Sequence, residues 1–184
     1  QSIPYFDYGM ADGVRKTFKR LYYTNVGKIV DIKYSKEDTV EKVKEYAKKI
    51  EKEQGLVPNM ANDNKYMEAE RAELSKLMPE ADIEDVQKLA FKYATKEVKR
   101  ATYQAMEAFI HNLNTMHSRA GAQIPFSSIN YGTDTSIEGR LVMENVLLAT
   151  ESGLGNGETP IFPIQIFKMK EGVNYNEGDP NYDL

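Results

Sequence analysis

Apolar residues recur at helical spacing along most of residues 1–120 of this chain. After an extended start around Pro4 and a turn at Gly9, we expect a first helix to begin near Asp12, which can cap it. The pattern therefore predicts that the first two thirds of the chain are mainly helical.

Three further helices are predicted in this part of the chain. The first follows a capping box formed by Ser35 and Asp38 and ends at Gly55. A shorter helix covers residues 63–78. The longest begins at Asp82 and, if unbroken, spans roughly 55–60 Å at about 1.5 Å per residue. A helix of this length usually crosses a large domain or follows a subunit interface.

Residues 121–184 change to strand, helix, strand. Residues 122–130 predict a strand, Ser136 is expected to cap a helix over residues 137–151, and residues 161–167 predict a second strand. This second strand is apolar nearly throughout, which is typical of a strand buried on both faces. Two strands joined by a helix favour a parallel pair with a right-handed crossover. The sequence therefore predicts an α/β fold.

Composition and charge narrow the class of protein and its partners. The chain has 41% hydrophobic and 28% charged residues, and no apolar run approaches the roughly 18 residues of a membrane span. Residues 121–184 hold only three cations, Arg140, Lys168 and Lys170, against nine carboxylates. Any phosphate there would have to rely on backbone N–H groups more than on cations. We therefore expect a cytoplasmic protein with no nucleic-acid partner and no membrane partner.

The chain contains no cysteine and two histidines, His111 and His117. These counts exclude disulfides, thiolate metal ligands, thiol nucleophiles and a histidine-rich metal site within these residues. Many carboxylates are present, but no pair stands out as a general acid and base. We therefore assign no catalytic residue and no metal ligand.

Four neutral polar residues in or beside the first predicted strand are the best candidates for a binding site: Gln123, Ser127, Ser128 and Asn130. Buried polar groups need partners, so a strand that carries several either lines a wet cavity or contacts a polar substrate. Hydrogen bonding to nearby backbone at the strand end is the alternative, and the sequence favours neither.

Residues 153–157 form the most glycine-rich stretch, and such a loop can let backbone N–H groups approach a phosphate. The stretch follows a helix and precedes a strand, however, which reverses the order of phosphate-binding loops. A helix stop with a tight turn is the favoured interpretation. His117 and Arg119, at the end of the longest helix, are likewise expected to complement the helix dipole.

Several stretches of the chain together resemble the anaerobic, class III ribonucleotide reductases. They are residues 1–4 (QSIP), 117–133 (HSRAGAQIPFSSINYGT), 153–167 (GLGNGETPIFPIQIF), 172–175 (GVNY) and 179–184 (DPNYDL). They occur in the order of the family and span nearly the whole chain, with residues 35–100 less distinctive. The chain is thereby identified as an internal segment of a reductase catalytic subunit.

The resemblance implies a ten-stranded α/β barrel of the glycyl-radical type. Residues 1–184 would form one part of that barrel domain, mainly helical over 1–120 and strand, helix, strand over 121–184. It also implies a homodimer that reduces ribonucleoside triphosphates to deoxyribonucleoside triphosphates and responds to ATP and deoxyribonucleoside triphosphates as effectors.

The implied chemistry depends on a glycyl radical that a radical-SAM iron–sulfur activase generates. This radical produces a cysteine thiyl radical, which abstracts the ribose 3′ hydrogen, and a cysteine zinc site is implied near the C-terminus. Because the chain contains no cysteine, we expect these groups to lie outside it and the segment to be inactive alone. Two alternatives remain open here: another glycyl-radical enzyme of the formate-lyase type, and a helical interaction module without chemistry.

Overall fold

The computed structural model describes residues 1–62, 64–116, 124–155 and 157–184. Its helices are α1 (Phe6–Tyr34), α2 (Thr39–Gln54), α3 (Asn64–Leu74), α4 (Ile83–Thr115) and α5 (Ile137–Ser152), and a 3-10 turn, Glu80–Asp82, precedes α4. Its strands are β1 (Ser2–Ile3), β2 (Ser128–Tyr131) and β3 (Ile164–Phe167). The helix-rich α/β class predicted from the sequence is confirmed.

The three strands form one parallel sheet in the order β1–β2–β3. Ser128 of β2 aligns with Ser2 on one side and with Ile164 on the other. α5 connects β2 to β3, so the predicted strand–helix–strand unit with a parallel pair is confirmed. For β1 the sequence predicts only an extended start, because two residues are too few to show an alternating pattern.

The chain divides into two compact units. Unit 1 comprises residues 1–14 and 99–184 and contains the sheet and α5, whereas unit 2 comprises residues 15–98 and is helical. In unit 1, Phe6 stacks on Phe109 with ring centroids 5.2 Å apart. In unit 2, the fully buried Phe18 meets Phe91 edge to face at 5.5 Å. That all 184 residues belong to one barrel domain stays a prediction.

The first helix begins earlier than its predicted start at Asp12. α1 begins at Phe6, and Gly9 lies inside the helix rather than in a turn. Asp7 in the first turn favours this start, because a carboxylate there complements the helix dipole. A Cβ at Gly9 would meet nothing within 4 Å, so this glycine marks neither a turn nor a close approach.

The C-terminal end of α2 is as predicted, and its N-terminal cap is not. Gly55 ends the helix in the left-handed region (φ 67), and its N–H donates to the carbonyl of Glu51 over 3.0 Å. The predicted capping box is wrong, because the Asp38 side chain makes no capping bond. The N–H of Thr39 instead donates to the carboxylate of Asp31, on α1, over 3.3 Å.

α4 is the long helix that the sequence predicts. Its 33 residues span about 50 Å at about 1.5 Å per residue. Asp82, at its start, accepts hydrogen bonds from Lys33 over 2.8 Å and from the Tyr34 hydroxyl. In the described ranges, no helix is both long enough and apolar enough to cross a membrane.

Candidate functional site

The two faces of the sheet differ in what covers them. The hydroxyl of Tyr131, on β2, donates to Oε1 of Gln165, on β3, over 2.6 Å. Nε2 of Gln165 donates in turn to Oγ1 of Thr150, on α5, over 2.6 Å. Burial raises the pKa of Tyr131 to about 12, so its hydroxyl remains a donor at neutral pH. α5 therefore covers the face that carries Tyr131 and Gln165.

Ser128 and Asn130 lie on the opposite face, because side chains alternate along a strand. The register places Ile164 and Ile166 of β3 beside them. These two isoleucines are 52% and 45% exposed, so the prediction that this strand is buried on both faces is wrong for this chain. The face opposite α5 thus combines polar and apolar side chains and is partly open.

The structure locates three of the four residues predicted to line a cavity. Ser128 and Asn130 share the open face, and the buried Ser127 directly precedes β2. Ser127 Oγ and Asn130 Oδ1 are both buried, and neither has a hydrogen-bond partner among the described residues. Gln123 lies outside the described residues. Unpartnered buried oxygens are uncommon in folded proteins, but a substrate role for all four residues stays a prediction.

The glycine-rich stretch connects α5 to β3, at the edge where the strands begin. Gly153 (φ 74) ends α5, and its N–H donates to the carbonyl of Thr150 over 3.2 Å. The N–H of Leu154 donates to the carbonyl of Glu158 over 2.9 Å, which closes a turn. The predicted helix stop and tight turn are confirmed. His117 and Arg119 lie outside the described residues.

At the carboxyl edge of the sheet, Asp7 holds the loop between β2 and α5. Its carboxylate is fully buried, and Oδ2 accepts hydrogen bonds of 3.0 Å from the backbone N–H groups of Gly132, Thr133 and Asp134. Oδ1 accepts a fourth from the N–H of Tyr8 over 3.1 Å. One side chain from α1 thereby fixes the loop that follows the central strand.

Two asparagines fix the same loop from the C-terminal segment. Nδ2 of Asn174 donates to the carbonyls of Gly132 and Lys168, both over 2.8 Å. Nδ2 of Asn181 donates to the carbonyl of Asp134 over 3.0 Å. A Cβ at Gly132 (φ 123) would lie 2.8 Å from the carbonyl oxygen of Lys168, so only glycine fits between the two strand ends.

Sequence reasoning missed Asp7, Asn174 and Asn181. The bonds with which they hold the loop after β2 join residues more than forty positions apart, and no local pattern encodes those bonds. The one usable signal is Asp7, because an acidic residue just after Pro4 is typical of the first turn of a helix.

A cleft of about 680 Å³ opens at this carboxyl edge. Its lining comes from all three strand ends: Tyr5 and Tyr8 after β1, Thr133 after β2, and Lys168, Met169 and Lys170 after β3. The ammonium group of Lys168 lies 4.1 Å from the centroid of the Tyr5 ring. The Tyr8 hydroxyl donates to the carbonyl of Thr133 over 2.8 Å. In open parallel sheets, ligands bind outside the carboxyl ends of the strands.

Unit 2 contains a separate buried polar cluster around Glu70. The Tyr22 hydroxyl and Gln87 Nε2 donate to Oε2 over 2.6 and 2.9 Å, and the hydroxyl of Tyr46 donates to Oε1 over 2.9 Å. Burial raises the pKa of Glu70, although these hydrogen bonds act in the opposite direction. Burial beside Glu70 also raises the pKa of Tyr22 well above its ordinary value. The cluster is a satisfied network enclosed in the helical unit.

The family profile and the individual relatives that match this chain all carry the same enzyme name. The family profile of the anaerobic ribonucleoside-triphosphate reductases matches residues 1–184. The anaerobic ribonucleoside-triphosphate reductase of Escherichia coli (strain K12) is 38% identical over 93 residues, which are 50% of this chain and 13% of that relative. The enzyme of that name from enterobacteria phage T4 is 38% identical over 107 residues, 55% of this chain and 18% of the relative.

The profile match and the relatives support the reductase interpretation over the two alternatives from the sequence. The matched stretches cover less than a fifth of these relatives, so the chain spans a small part of their length. The profile, in contrast, covers every residue of this chain, including the polar strand and the carboxyl-edge loop. On that coverage, the chain belongs to the anaerobic ribonucleoside-triphosphate reductase family.

Proposed function

We propose that this chain forms one wall of the nucleotide cavity in an anaerobic ribonucleotide reductase. The complete protein converts ribonucleoside triphosphates to deoxyribonucleoside triphosphates in the cytoplasm. Two observations support the proposal: the family match along residues 1–184, and the polar side chains on the open face of β2.

The three parallel strands then belong to a ten-stranded α/β barrel. In α/β barrels, the helices form the outer ring and the opposite face of the sheet points to the interior. Because α5 packs beside Tyr131 and Gln165, the interior face is the one that carries Ser128 and Asn130. The two exposed isoleucines of β3 face the same interior.

The observation that carries this assignment is the buried, unpartnered Oδ1 of Asn130. A carboxamide oxygen accepts a hydrogen bond, and the hydroxyls of a ribose are donors of the matching kind. Ser128 offers a hydroxyl on the same face, while Ser127 and Gln123 extend the proposed lining before β2. These residues bind and orient the sugar through hydrogen bonds, and none of them forms a covalent bond to it.

The radical chemistry belongs to residues outside this sequence. A thiyl radical and a zinc site of thiolates both need cysteine, and the chain has none. In the described ranges, no three His, Asp or Glu side chains are placed to hold a metal ion. We propose that the complete protein is a homodimer that carries the glycyl radical and the zinc site, depends on a radical-SAM activase and responds to ATP and deoxyribonucleoside triphosphates.

Substitution of Asn130 tests the proposed wall. In the complete gene product, activated anaerobically, Asn130→Ala should lower kcat/KM for ribonucleoside triphosphate reduction about tenfold or more, because a hydrogen bond to substrate is lost. Asn176→Ala is the matched control, since Asn176 is exposed and its side chain has no described hydrogen bond.

Equal kcat/KM values for the Asn130→Ala and Asn176→Ala variants would show that Asn130 does not contact the substrate. A folded, activated protein that reduces no ribonucleoside triphosphate would contradict the proposed function itself. Native circular dichroism of both variants should accompany the kinetics, so that a loss of activity is read as a loss of substrate contact.

A further inference from the structure

The cations of the C-terminal part of the chain differ in whether they are paired with a carboxylate. Of the three cations in residues 121–184, Arg140 donates two hydrogen bonds of 2.9 Å to the carboxylate of Asp183 and one of 2.9 Å to Asn181. This pairing lowers the pKa of Asp183. Lys168 and Lys170 both line the carboxyl-edge cleft, and neither ammonium group forms a salt bridge with a described residue.

The cleft presents ammonium groups rather than backbone amides to a ligand. No carboxylate among the described residues lines it, and the N–H groups of Gly132, Thr133 and Asp134 are already occupied by Asp7. The glycine-rich turn lies at the opposite edge of the sheet. An anion at this edge would therefore meet Lys168 and Lys170, which departs from the expectation that backbone N–H groups bind phosphate in this region.

Tyr5 holds Lys168 at the cleft. A cation over an aromatic face is attracted by the ring, and the 4.1 Å separation is well within the range of this interaction. The N–H groups of this ammonium that point away from the ring can face a ligand. The Tyr5 backbone lies in the left-handed region (φ 55), which is uncommon for an aromatic residue and is tolerated where the surrounding structure fixes it.

The cleft and the polar face are within reach of one nucleotide. Asn130 and Thr133 are three residues apart, so the chain between them spans at most about 10 Å at about 3.3 Å per residue. A nucleoside triphosphate can extend its phosphates over a comparable length. A nucleotide whose sugar contacts Asn130 can therefore reach the cleft at the carboxyl edge with its phosphates.

We propose that the carboxyl-edge cleft binds the triphosphate group of the nucleotide through Lys168 and Lys170, with Tyr5 positioning Lys168. This inference rests on the proposed function for the identity of the nucleotide. The binding of a polyphosphate at the two lysines does not depend on it, and can be measured separately.

Direct binding of inorganic tripolyphosphate is the first test. In the complete gene product, the double variant Lys168→Met/Lys170→Met should bind tripolyphosphate about tenfold or more weakly than the unaltered protein, as measured calorimetrically. The double variant Lys42→Met/Lys48→Met is the matched control, because it also removes two positive charges, and both lysines are exposed on α2 and have no described partner. Equal tripolyphosphate affinities in the Lys168→Met/Lys170→Met variant and the control would overturn the proposal.

Kinetics supply the second test. Lys168→Met should raise KM for a ribonucleoside triphosphate with little change in kcat, because the contact is made equally in the ground state and the transition state. Lys168→Arg should restore most of the affinity. If the Lys168→Met variant is active and its KM is unchanged, this inference is wrong and the proposed function still stands. If the unaltered protein has no reductase activity, the proposed function is wrong. The binding of tripolyphosphate then decides whether the cleft binds a polyphosphate.

Discussion

Asp7 is the residue on which the carboxyl edge of the sheet most depends. A buried carboxylate is costly unless its oxygens are hydrogen-bonded, and here four backbone N–H groups bind it. The same bonds give the loop after β2 one conformation. The position of Thr133 in the cleft follows from this network.

Asp7→Ala should destabilise the chain by at least about 2 kcal/mol, because the substitution leaves buried N–H donors without an acceptor. Urea unfolding followed by far-UV circular dichroism measures the change. Glu144→Ala, an exposed carboxylate on α5, is the control and should change stability by less than about 0.5 kcal/mol. Equal stabilities of the two variants would contradict the proposed role of Asp7.

Glu70 predicts a pH dependence of stability in the helical unit. Its pKa in the folded chain is raised above the ordinary value of 4.5, so the folded state binds the proton more tightly. The resulting stabilisation is complete below pH 4.5 and is lost as the pH rises through the folded pKa. Within that window, the stability of the unaltered chain should fall relative to Glu70→Gln by up to about 1.36 kcal/mol per pH unit.

Paired urea titrations at several pH values measure this difference. The glutamine side chain of the Glu70→Gln variant keeps one oxygen, which can accept from either Tyr22 or Tyr46, but it does not ionise. A stability difference between Glu70→Gln and the unaltered chain that does not change with pH would show that Glu70 has no raised pKa in the folded chain.

At the scale of elements, the packing of α1 on α2 depends on Gly27. A Cβ at this position would lie 2.5 Å from the Cα of Val40, which is backbone and cannot rotate away. Gly27→Ala should therefore cost about 1–3 kcal/mol despite the higher helix propensity of alanine. Gly13→Ala, also in α1 but with nothing within 4 Å, should instead stabilise the chain by up to about 1 kcal/mol.

Thermal or urea unfolding of these two variants separates propensity from close packing. If both alanines stabilise the chain, the helices are free to move apart at Gly27. If both destabilise it, the open surroundings of Gly13 are in doubt.

Element types could be predicted from the sequence more easily than element ends. The α5 cap at Ser136 was predictable and is confirmed, since its Oγ accepts from the N–H of Gly139 over 3.1 Å. The cap of α2 was not, because the N–H of Thr39 is bound by Asp31, which lies on another helix, α1. Local patterns describe a helix end well only when the bonds that form it are local.

At the scale of the whole molecule, the candidate site was predictable in part. Ser128 and Asn130 stand out by residue type, because polar residues in a strand need an explanation wherever the strand lies. The cleft does not stand out, because Tyr5, Thr133 and Lys168 come from three distant segments that only the parallel register brings together. From the sequence alone, two lysines in an acidic region do not indicate a binding site for an anion. The pairing of the strands is needed to show that both lysines line the cleft.

In the sequence, unit 2 is inserted between the two parts of unit 1, and this order affects folding during synthesis. Unit 2 is one continuous stretch, whereas the two parts of unit 1 lie before and after it in the chain. Asp7 leaves the ribosome 125 residues ahead of Gly132, which corresponds to roughly 6–25 s at about 5–20 residues per second. In nascent chains arrested once residues 15–98 have emerged, we expect proteases to spare unit 2 and to cut at β1, which is not yet paired. The carboxyl-edge cleft is thus among the last features of this chain to form.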